Sequence, residues 1–456
     1  MNKKYNFEYI IIGSGPAGSA AAISLAKAKK RVALVEGKSF GGANINTRDI
    51  PYSIALNFAH TYAKTTSAPE FRNQDLSFSL PTAIAHQSKV IAKFQSNLQK
   101  SYESSGVICL NGYANFIDQH TIAIGKEKFT STNFIIATGS KLKTLEIAGA
   151  DRVKYLTPES AIRVRRLPKV VLIVGGGATG CEIATYFAEL GSKVIIMESA
   201  KRLLPREDKE VSEAITSYLT RQLGVMVLPS YRVVALEQDR VHKRVIFHNA
   251  NTEKAVRVDC IVLATGSQPN LTFGLENAKV KYKDTGIIVN KYFETSAKNI
   301  YAIGDCIGGE SSTTRSEYEG SVLAANLINK TKNRINYRGL IRTTNTPLEV
   351  ASIGASENEL IRTKQKYKKS LVQLSETPSG IINNINYGFI KLLSDHNSHI
   401  LGASVVAPNA TLVAEEIALA IRHNLTVIEI ASTPHPANSI NYAIKLAAKH
   451  LLGKKK

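Results

Sequence analysis

Two glycine-rich turns, each followed at a fixed distance by an acidic residue, carry the strongest chemical signal in the sequence. The two sets are Gly13, Gly15, Gly18 and Glu36, and Gly175, Gly177, Gly180 and Glu198, with 23 residues from the first glycine to the acid in each. In such turns the first glycine permits a tight bend, the second lets the backbone approach a pyrophosphate, and the third lets the next helix pack on a strand. The acid accepts hydrogen bonds from a ribose diol. The sequence therefore predicts two dinucleotide-binding sites.

The segments around both turns have the pattern of a βαβ unit. In the first, an apolar strand at residues 7–12 leads to an Ala-rich helix that ends near residue 30 and to a strand over residues 31–35. In the second, the strand covers residues 169–174, the helix 181–190 and the next strand 192–197. Short apolar runs are typical of buried strands, and the helix after each turn directs its free N–H groups at the phosphates. Two complete units at one spacing are far more specific than a lone glycine turn.

Later strands bring further small or acidic residues towards the same sites. The strands at residues 133–139 and 259–266 both close in Ala-Thr-Gly, with a serine next in the sequence. This places Thr138, Gly139 and Gly266 where a small turn admits close approach to a cofactor. A third apolar strand ends at Gly304 and Asp305. Ligands of open α/β sheets bind at the carboxyl ends of strands, so Asp305 is expected to meet a ligand.

The composition is that of a folded globular protein whose basic charge is spread along the chain. Of 456 residues 44% are hydrophobic, and 58 Lys and Arg against 37 Asp and Glu give a formal net charge of +21. Because the lysines are scattered, we predict a solvated surface and no specific nucleic-acid partner, and contact with an anionic surface stays open. Glycines interrupt the most apolar stretch, so no membrane span is predicted.

The four cysteines lie far apart in the sequence, at Cys109, Cys181, Cys260 and Cys306. This spacing predicts neither a disulfide framework nor a clustered metal site. A reducing compartment fits such cysteine usage, and we expect a cytoplasmic protein.

Together with Gly41-Gly42 and the segments at residues 346–354 and 388–421, these motifs resemble the pyridine nucleotide-disulfide oxidoreductases. That family of flavoproteins includes dihydrolipoamide dehydrogenase, mercuric reductase and the soluble transhydrogenase. The resemblance implies an α/β fold with two Rossmann-like dinucleotide-binding domains, for FAD and NAD, plus a C-terminal α+β dimerisation domain, and hence a homodimer. The predicted limits are residues 1–149 and 278–335 for the FAD domain, 150–277 for the NAD domain and 336–456 for the dimerisation domain.

The resemblance also assigns roles to individual residues. It implies FAD contacts from the first glycine turn, Glu36, Gly42 and Asp305, and nicotinamide-nucleotide contacts from the second turn and Glu198. Glu182 matches an acidic residue that the family places near the nicotinamide and flavin, although an acid in the first turn of a helix is also favoured by the helix dipole alone.

The chain departs from the family pattern at the redox centre. Asn44 and Asp49 occupy the two cysteine positions, so no thiol lies beside the predicted flavin. The family's lysine just beyond is also absent. His435 keeps the histidine of a C-terminal His-Pro motif, but Ile440 replaces the glutamate that orients it. An imidazole without that carboxylate is expected to lose control of its tautomer.

These features predict a flavoprotein oxidoreductase without redox cysteines. We expect an FAD-dependent NADH dehydrogenase that passes electrons from flavin to a small non-disulfide acceptor such as a quinone, with Asp49 or His435 as proton source. Glu198 favours NADH because a 2′-phosphate there would meet like charge. Two alternatives stay open: FAD-mediated transhydrogenation between nicotinamide nucleotides, and a non-catalytic nucleotide-sensing or interaction flavoprotein.

Overall fold

The chain forms two compact units, each assembled from separate stretches of sequence. A computed structural model describes residues 5–68, 76–143, 146–239, 241–250 and 252–453. The first unit comprises Met1–Ile54, Thr82–Thr144 and Gly266–Tyr337, and the second comprises Ala55–Pro81, Leu145–Thr265 and Arg338–Lys456. No helix in the described ranges is long and apolar enough to cross a lipid bilayer.

The N-terminal third of the chain supplies most of the first unit. Its strands and helices are β1 (Phe7–Ile12), α1 (Pro16–Lys27), β2 (Val32–Glu36), α2 (Gly42–Asn46), α3 (Asp49–Ser67), α4 (Leu80–Ser105), β3 (Ile108–Asn111), β4 (Ala114–Asp118), β5 (Thr121–Ile124), β6 (Glu127–Ile136) and β7 (Ser140–Leu142). The first strand has the predicted limits. The first helix ends three residues earlier than predicted, and Lys29 just beyond it takes a φ of 60°, which an α-helix does not accommodate.

The middle of the chain contains the second glycine turn and belongs to the second unit. Its elements are α5 (Pro158–Ala161), β8 (Val170–Val174), α6 (Ala178–Glu189), β9 (Lys193–Glu198), α7 (Lys209–Arg221), β10 (Met226–Pro229), β11 (Arg232–Asp239), β12 (His242–His248), β13 (Glu253–Val258) and β14 (Cys260–Leu263). Strands β10, β9, β8 and β14 form a parallel sheet in that order, and β11, β12 and β13 form an antiparallel sheet. Apolar side chains from both sheets share one core.

The chain then returns to the first unit through β15 (Ser267–Pro269), β16 (Tyr282–Lys283), β17 (Gly286–Ile287), β18 (Ile300–Ala302) and α8 (Thr313–Asn329). Strand β18 lies parallel to β6, which joins it to the main sheet of this unit. Over the described residues that sheet runs β3-β2-β1-β6 in parallel, and the hairpin of β4 and β5 adds to the first half of β6 in antiparallel orientation.

Alternating side chains of β1 fill two cores on opposite faces of this sheet. Ile10 and Ile12 pack on one face, and Tyr9 and Ile11 pack on the other with the small residues of α1 and the apolar side of α8. A sheet buried on both faces explains why its strands are continuous apolar runs in the sequence. It also fixes the carboxyl ends of β1, β6 and β18 at one edge, where the predicted ligand residues follow.

The C-terminal part of the second unit is an antiparallel sheet with helices packed on it. Its elements are β19 (Ile341–Thr344), β20 (Glu349–Gly354), α9 (Glu357–Arg362), β21 (Lys368–Gln373), α10 (Pro378–Ile382), β22 (Phe389–Ser394), β23 (Ile400–Ala407), α11 (Ala410–Arg422), α12 (Val427–Ser432) and α13 (Tyr442–Leu452). The strand order is β19-β20-β23-β22-β21. The described structure thus has the predicted α/β and α+β layers.

Candidate active site

The first glycine turn has the geometry that a bound dinucleotide requires. Gly13 has a φ of 106°, and a Cβ there would lie 2.2 Å from the Ala137 carbonyl oxygen. A Cβ on Gly18 would lie 1.9 Å from the Gly13 oxygen, so α1 packs directly on the turn. At Gly15, the N-cap of α1, a Cβ would meet nothing within 4 Å. The helix N-terminus therefore faces open space, where its free N–H groups favour a pyrophosphate.

Glu36 stands at the end of β2 beside this turn. Its Oε2 accepts hydrogen bonds from the Ser14 amide at 3.1 Å and the Ser14 hydroxyl at 2.6 Å, and its Oε1 accepts one from the Lys38 amide at 2.9 Å. The Ser14 hydroxyl in turn accepts the Gly41 amide at 3.0 Å. Fully buried Ser14 thus ties the predicted ribose-binding acid to the Gly41-Gly42 segment.

The Gly41-Gly42 segment places Asn44 and Asp49 close to the first glycine turn. A Cβ on Gly42 would lie 2.7 Å from the Gly15 Cα, so the two turns are in direct contact. Asn44 is part of α2, which begins at Gly42, and Asp49 begins α3. The two positions that hold cysteines in the family pattern therefore follow directly from the backbone that packs on the pyrophosphate turn.

Asp49 is hydrogen-bonded and electrostatically perturbed. The Thr313 hydroxyl, at the start of α8, donates to Asp49 Oδ2. Burial raises the pKa of the Asp49 carboxyl above its usual range and Asp305 adds to the rise, while Thr313 and Arg48 act in the opposite direction. The residue is nevertheless exposed to solvent in the chain, which moderates the shift. The carboxyl therefore retains a proton more readily than a solvated aspartate does.

Asp305 belongs to the same cluster. The Ser140 hydroxyl donates to Asp305 Oδ2 at 2.8 Å, and the Arg48 guanidinium donates to Ser140 at 3.1 Å. In the same unit, Thr138 of the first Ala-Thr-Gly turn donates its hydroxyl to the Asn270 carbonyl at 3.0 Å. The structure thus brings the predicted FAD residues together in the first unit.

The backbone carbonyls of two predicted turn glycines are also paired in this unit. The Gly139 carbonyl accepts the Asn270 amide at 3.0 Å, and the Gly266 carbonyl accepts the Lys143 amide at 3.1 Å. Both glycines have positive φ angles, 65° and 90°, and a Cβ on either would meet nothing within 4 Å. These turns therefore leave space beside the backbone, as the sequence predicts for close approach of a cofactor.

A buried carboxylate that the sequence analysis did not identify supports the turn of Gly304 and Asp305. Glu319 on α8 is fully buried, and its Oε2 accepts the Gly304 amide at 2.7 Å. Its Oε1 accepts Arg315 Nε and the Tyr337 hydroxyl, each at 2.7 Å. The i,i+4 spacing of Arg315 and Glu319 on the helix after the turn was an available signal.

The second glycine turn has nearly the same backbone geometry as the first. Gly175 has a φ of 108°, and a Cβ there would lie 2.4 Å from the Ala264 carbonyl oxygen. A Cβ on Gly180 would lie 1.9 Å from the Gly175 oxygen, and one on Gly177 would meet nothing within 4 Å. The second unit therefore offers a second open helix N-terminus for a pyrophosphate.

Glu198 ends β9 and is bonded as Glu36 is. Its Oε2 accepts the Gly176 amide at 2.6 Å and its Oε1 accepts the Ala200 amide at 2.7 Å. Glu182 lies in the second turn of α6, because the helix begins at Ala178, so its expected place in the first turn was wrong. It is buried, and its Oε1 accepts the Asn345 amide at 2.8 Å. Both predicted acids of this domain thus carry direct backbone hydrogen bonds that fix their position.

The four thiols are unsuited to redox chemistry. Cys181, Cys260 and Cys306 are buried, and Cys109 is half-buried. Burial raises the pKa of every one of them, to about 11 at Cys260 and about 12 at Cys306. Thiolate is the reactive form, so the raised pKa values make these side chains less reactive than a solvated thiol.

His435 lies between α12 and α13, and one expectation about it was wrong. Ile440 is uncharged, so the family position of the orienting glutamate holds no carboxylate. A different carboxylate contacts the ring, because His435 Nε2 lies 2.8 Å from Glu416 Oε1. Glu416 comes from α11, an element earlier in the chain, and nothing in the local His-Pro motif pointed to it. Its contact with His435 depends on how the helices pack.

Comparisons with known proteins agree with this geometry. The family model described as pyridine nucleotide-disulphide oxidoreductase matches residues 7–321, and the model of that family's dimerisation domain matches residues 341–448. The chain is 29% identical over 454 residues to mercuric reductase from Staphylococcus aureus, which covers 98% of this chain and 83% of the relative. It is 28% identical over 454 residues to dihydrolipoyl dehydrogenase from the same organism, covering 97% and 96%.

Solved structures show the same fold. LpdA from Mycobacterium tuberculosis superposes with a TM-score of 0.88 at 23% identity, covering 97% of this chain and 99% of the other. The HOCl-induced flavoprotein disulfide reductase RclA from Escherichia coli superposes with a TM-score of 0.87 at 23% identity, covering 97% and 99%. The chain therefore shares its overall fold with these proteins.

Proposed function

The chain belongs to the pyridine nucleotide-disulphide oxidoreductase family, and from that premise we propose that it is an NADH dehydrogenase that reduces a small non-disulfide acceptor without a thiol relay. Members of the family use FAD and NAD(P)H, and both open glycine turns fit such dinucleotides. Bound FAD would supply hydride acceptance from NADH and onward transfer of two electrons. The observation that carries the proposal is the pair of intact turns combined with Asn44 and Asp49 at the redox positions.

The absence of a thiol at the redox positions excludes the family's route to disulfides for this chain. Attack on a disulfide requires a thiolate, and neither an amide nor a carboxylate replaces it. The four cysteines of the sequence lie elsewhere, with thiol pKa values raised by burial. An acceptor that takes electrons directly, such as a quinone, meets this constraint.

Asp49 supplies the acid that quinone reduction needs. Reduction by NADH consumes one NADH, one quinone and one proton and yields NAD⁺ and the quinol. Burial raises the pKa of the Asp49 carboxyl, so this group retains a proton more readily than a solvated aspartate and is the side chain that we assign to pass a proton to an acceptor oxygen beside it. Thr313 fixes that carboxyl and Arg48 lies close by. We assign the proton-donor role to Asp49.

Glu198 sets the preference for NADH in this proposal. A carboxylate at the end of β9 suits a ribose 2′-hydroxyl, which can donate to it, and repels a 2′-phosphate. Its two oxygens are oriented by the Gly176 and Ala200 amides. The dimerisation domain supports a homodimer as the working assembly.

The test is anaerobic stopped-flow mixing of the flavin-loaded protein with NADH, followed by turnover with a quinone, lipoamide, glutathione disulfide and mercuric ion. We expect rapid flavin reduction and turnover with the quinone alone. A flavin that stays oxidised, or disulfide turnover as efficient as quinone turnover, would refute the proposal. Faster turnover with an NAD analogue would identify a transhydrogenase, and no turnover at all together with NADH-dependent partner binding would identify an interaction protein.

A substitution at Asp49 separates proton supply from electron supply. Asp49→Asn keeps an oxygen that accepts the Thr313 hydroxyl but holds no transferable proton. We expect NADH to reduce the flavin within about twofold of the normal rate and quinone reduction to slow by roughly 100-fold, in the range of a lost general acid. Asp118, exposed on β4, provides the control Asp118→Asn, which should leave both steps unchanged. Equal slowing of both steps would contradict the assignment.

A further inference from the structure

The basic charge of the chain is densest in residues 361–370. Five of these ten residues are Lys or Arg and none is acidic, which no separate stretch of ten residues in the sequence matches. The four bases at alternate positions are all exposed, and they are Arg362, Lys364, Lys366 and Lys368. Ile361 beside them keeps 61% of its surface exposed. Residues 361–368, called the basic segment below, thus combine concentrated positive charge with an exposed apolar side chain.

Two anchoring side chains hold the end of the basic segment against the second unit. The Tyr367 hydroxyl donates to Glu357 Oε1 at 2.7 Å, and Lys369 Nζ lies 2.9 Å from the same oxygen. Lys366 and Lys368 are exposed, so anchors and exposed bases alternate along the chain, as side chains do in an extended strand. The exposed bases are therefore carried by a backbone that is held in place.

The turn at the start of the basic segment is fixed by backbone hydrogen bonds. The Lys364 amide donates to the Ile361 carbonyl at 3.1 Å, and the Gln365 amide donates to the Leu360 carbonyl at 2.9 Å. With Lys364 at a φ of 56°, these bonds form the Schellman motif that ends α9. Because this backbone is already ordered, binding through its side chains loses little backbone entropy.

The positive charge of the basic segment is not compensated within the chain. Lys369 contacts acids of its own unit, whereas none of the four exposed bases forms an ion pair in the part of the chain that the structure describes. Asp395 follows the strand that pairs with Lys368, but this carboxylate lies 3.4 Å from His399 Nδ1. The four positive charges therefore face solvent and attract an anionic partner.

We propose that the basic segment docks on the anionic lipid headgroups of a bilayer, and that the quinone acceptor is one dissolved in that bilayer. Each base beside an anionic lipid surface strengthens binding about fivefold. Ile361 adds apolar surface that enters the headgroup region, a contact that a nucleic acid would not reward. The choice of a bilayer rests on the proposed function, because quinones with long apolar tails partition from water into lipid.

Co-sedimentation of the full-length flavin-loaded protein with lipid vesicles tests the docking surface directly. At about 0.1 M salt we expect vesicles containing phosphatidylglycerol to bind at least about 100-fold more tightly than vesicles of phosphatidylcholine alone. This binding should be lost at about 1 M salt, where the Debye length falls to roughly 3 Å. Equal binding to both kinds of vesicle, or binding to duplex DNA with the vesicles left unbound, would overturn the proposal.

Two double variants with the same loss of charge locate the surface. Lys366→Gln combined with Lys368→Gln should weaken binding to phosphatidylglycerol vesicles by roughly 20-fold. The matched control is Lys281→Gln combined with Lys283→Gln, because these lysines are also exposed at alternate positions but belong to the first unit. The control should bind within about threefold of the unmodified protein, since charges beyond a Debye length are screened. An equal loss in both double variants would show that diffuse charge drives binding and would overturn the assignment.

Failure of the docking surface and failure of the proposed function give different results. Turnover with a short-chain quinone in solution should be unchanged in both double variants. Turnover with a long-chain quinone held in phosphatidylglycerol vesicles should fall only in Lys366→Gln with Lys368→Gln, and unchanged turnover there would overturn the inference. A protein that reduces the short-chain quinone and binds no vesicle would refute the docking surface alone. A protein that binds the vesicles and reduces no quinone would refute the proposed function and support the docking surface.

Discussion

Removing the buried ammonium of Lys391 should destabilise the second unit by several kcal/mol. Lys391 on β22 is fully buried, and its Nζ lies 2.5 Å from Glu357, 2.9 Å from Glu210 and 3.1 Å from Asp208. One positive charge thus holds three carboxylates that come from α7, its N-cap and α9. Lys391→Met keeps the volume of the side chain and leaves the carboxylates facing one another without their cation.

The size of the effect follows from the cluster's burial and from its pKa shifts. Breaking a buried ion pair by removing one partner costs about 3–5 kcal/mol, because the remaining charge stays desolvated. The Lys391 bond is a main cause of a Glu357 pKa lowered to about 2, and against a value near 4.5 in the unfolded chain this corresponds to at most ~3 kcal/mol. For a unit of this size we expect an unfolding midpoint lower by roughly 6–20 °C.

The pH dependence gives the prediction a second, independent signature. Because the folded-state pKa values of Glu357 and Glu210 are lowered, their contribution to stability is complete above about pH 5 and is lost as the pH falls towards 2. Protonation neutralises the same carboxylates in the variant. The difference in unfolding free energy between Lys391→Met and the unmodified protein should therefore be largest near pH 7 and shrink steadily below pH 5.

Thermal and denaturant unfolding of both proteins between pH 7 and pH 3 measure this difference. Lys369→Met is the matched control, because Lys369 contacts the same Glu210 and Glu357 but keeps 41% of its side chain exposed. Its loss should cost less than about 1 kcal/mol. A Lys391→Met protein within 1 kcal/mol of normal stability at pH 7, or a difference that grows in acid, would show that the cluster does not act as described.

Three further predictions concern the nucleotide sites. Gly177→Ala should raise the KM for NADH about tenfold and change the free energy of unfolding by about 1 kcal/mol or less, because its methyl group enters open space at the helix N-terminus. Gly180→Ala should lower the free energy of unfolding by about 1–3 kcal/mol in a denaturant titration, because its methyl group clashes with the turn. Glu319→Gln should weaken FAD binding about tenfold in a flavin-release assay, and exposed Glu317→Gln on the same helix should not; equal affinities would contradict the role of the buried carboxylate. Glu198→Gln should raise kcat/KM for NADPH relative to NADH by about tenfold in steady-state assays, since it removes a like charge and keeps an acceptor, and an unchanged ratio would refute that reasoning.

The parts of this molecule that sequence reasoning predicts are those that backbone sterics prescribe locally. Gly13 and Gly175 take positive φ angles against a carbonyl oxygen, and only glycine fits there, so the motif carries its own geometry. Glu416 and Lys391 follow a different rule. Their partners are 19 or more residues away in the sequence, and the packing of helices and sheets brings the side chains into contact. No spacing in the sequence therefore predicts these contacts.

The same distinction explains how the chain keeps the fold of the family with Asn44 and Asp49 at the two cysteine positions of the family pattern. A Cβ added at the first or third glycine of either turn would lie about 2 Å from a backbone oxygen, so no side chain fits there, whereas Asn44 is only half-buried and Asp49 is exposed. We therefore expect substitution at positions 44 and 49 to alter the chemistry beside the predicted flavin at little cost to the fold. His435 illustrates the complementary case, because its carboxylate neighbour, Glu416, reaches the ring from α11 and not from the local His-Pro motif. In the proposed function, fold and acceptor chemistry thus depend on separate residues: the glycine turns carry the fold, and we expect Asp49, Asn44 and their neighbours to decide the acceptor.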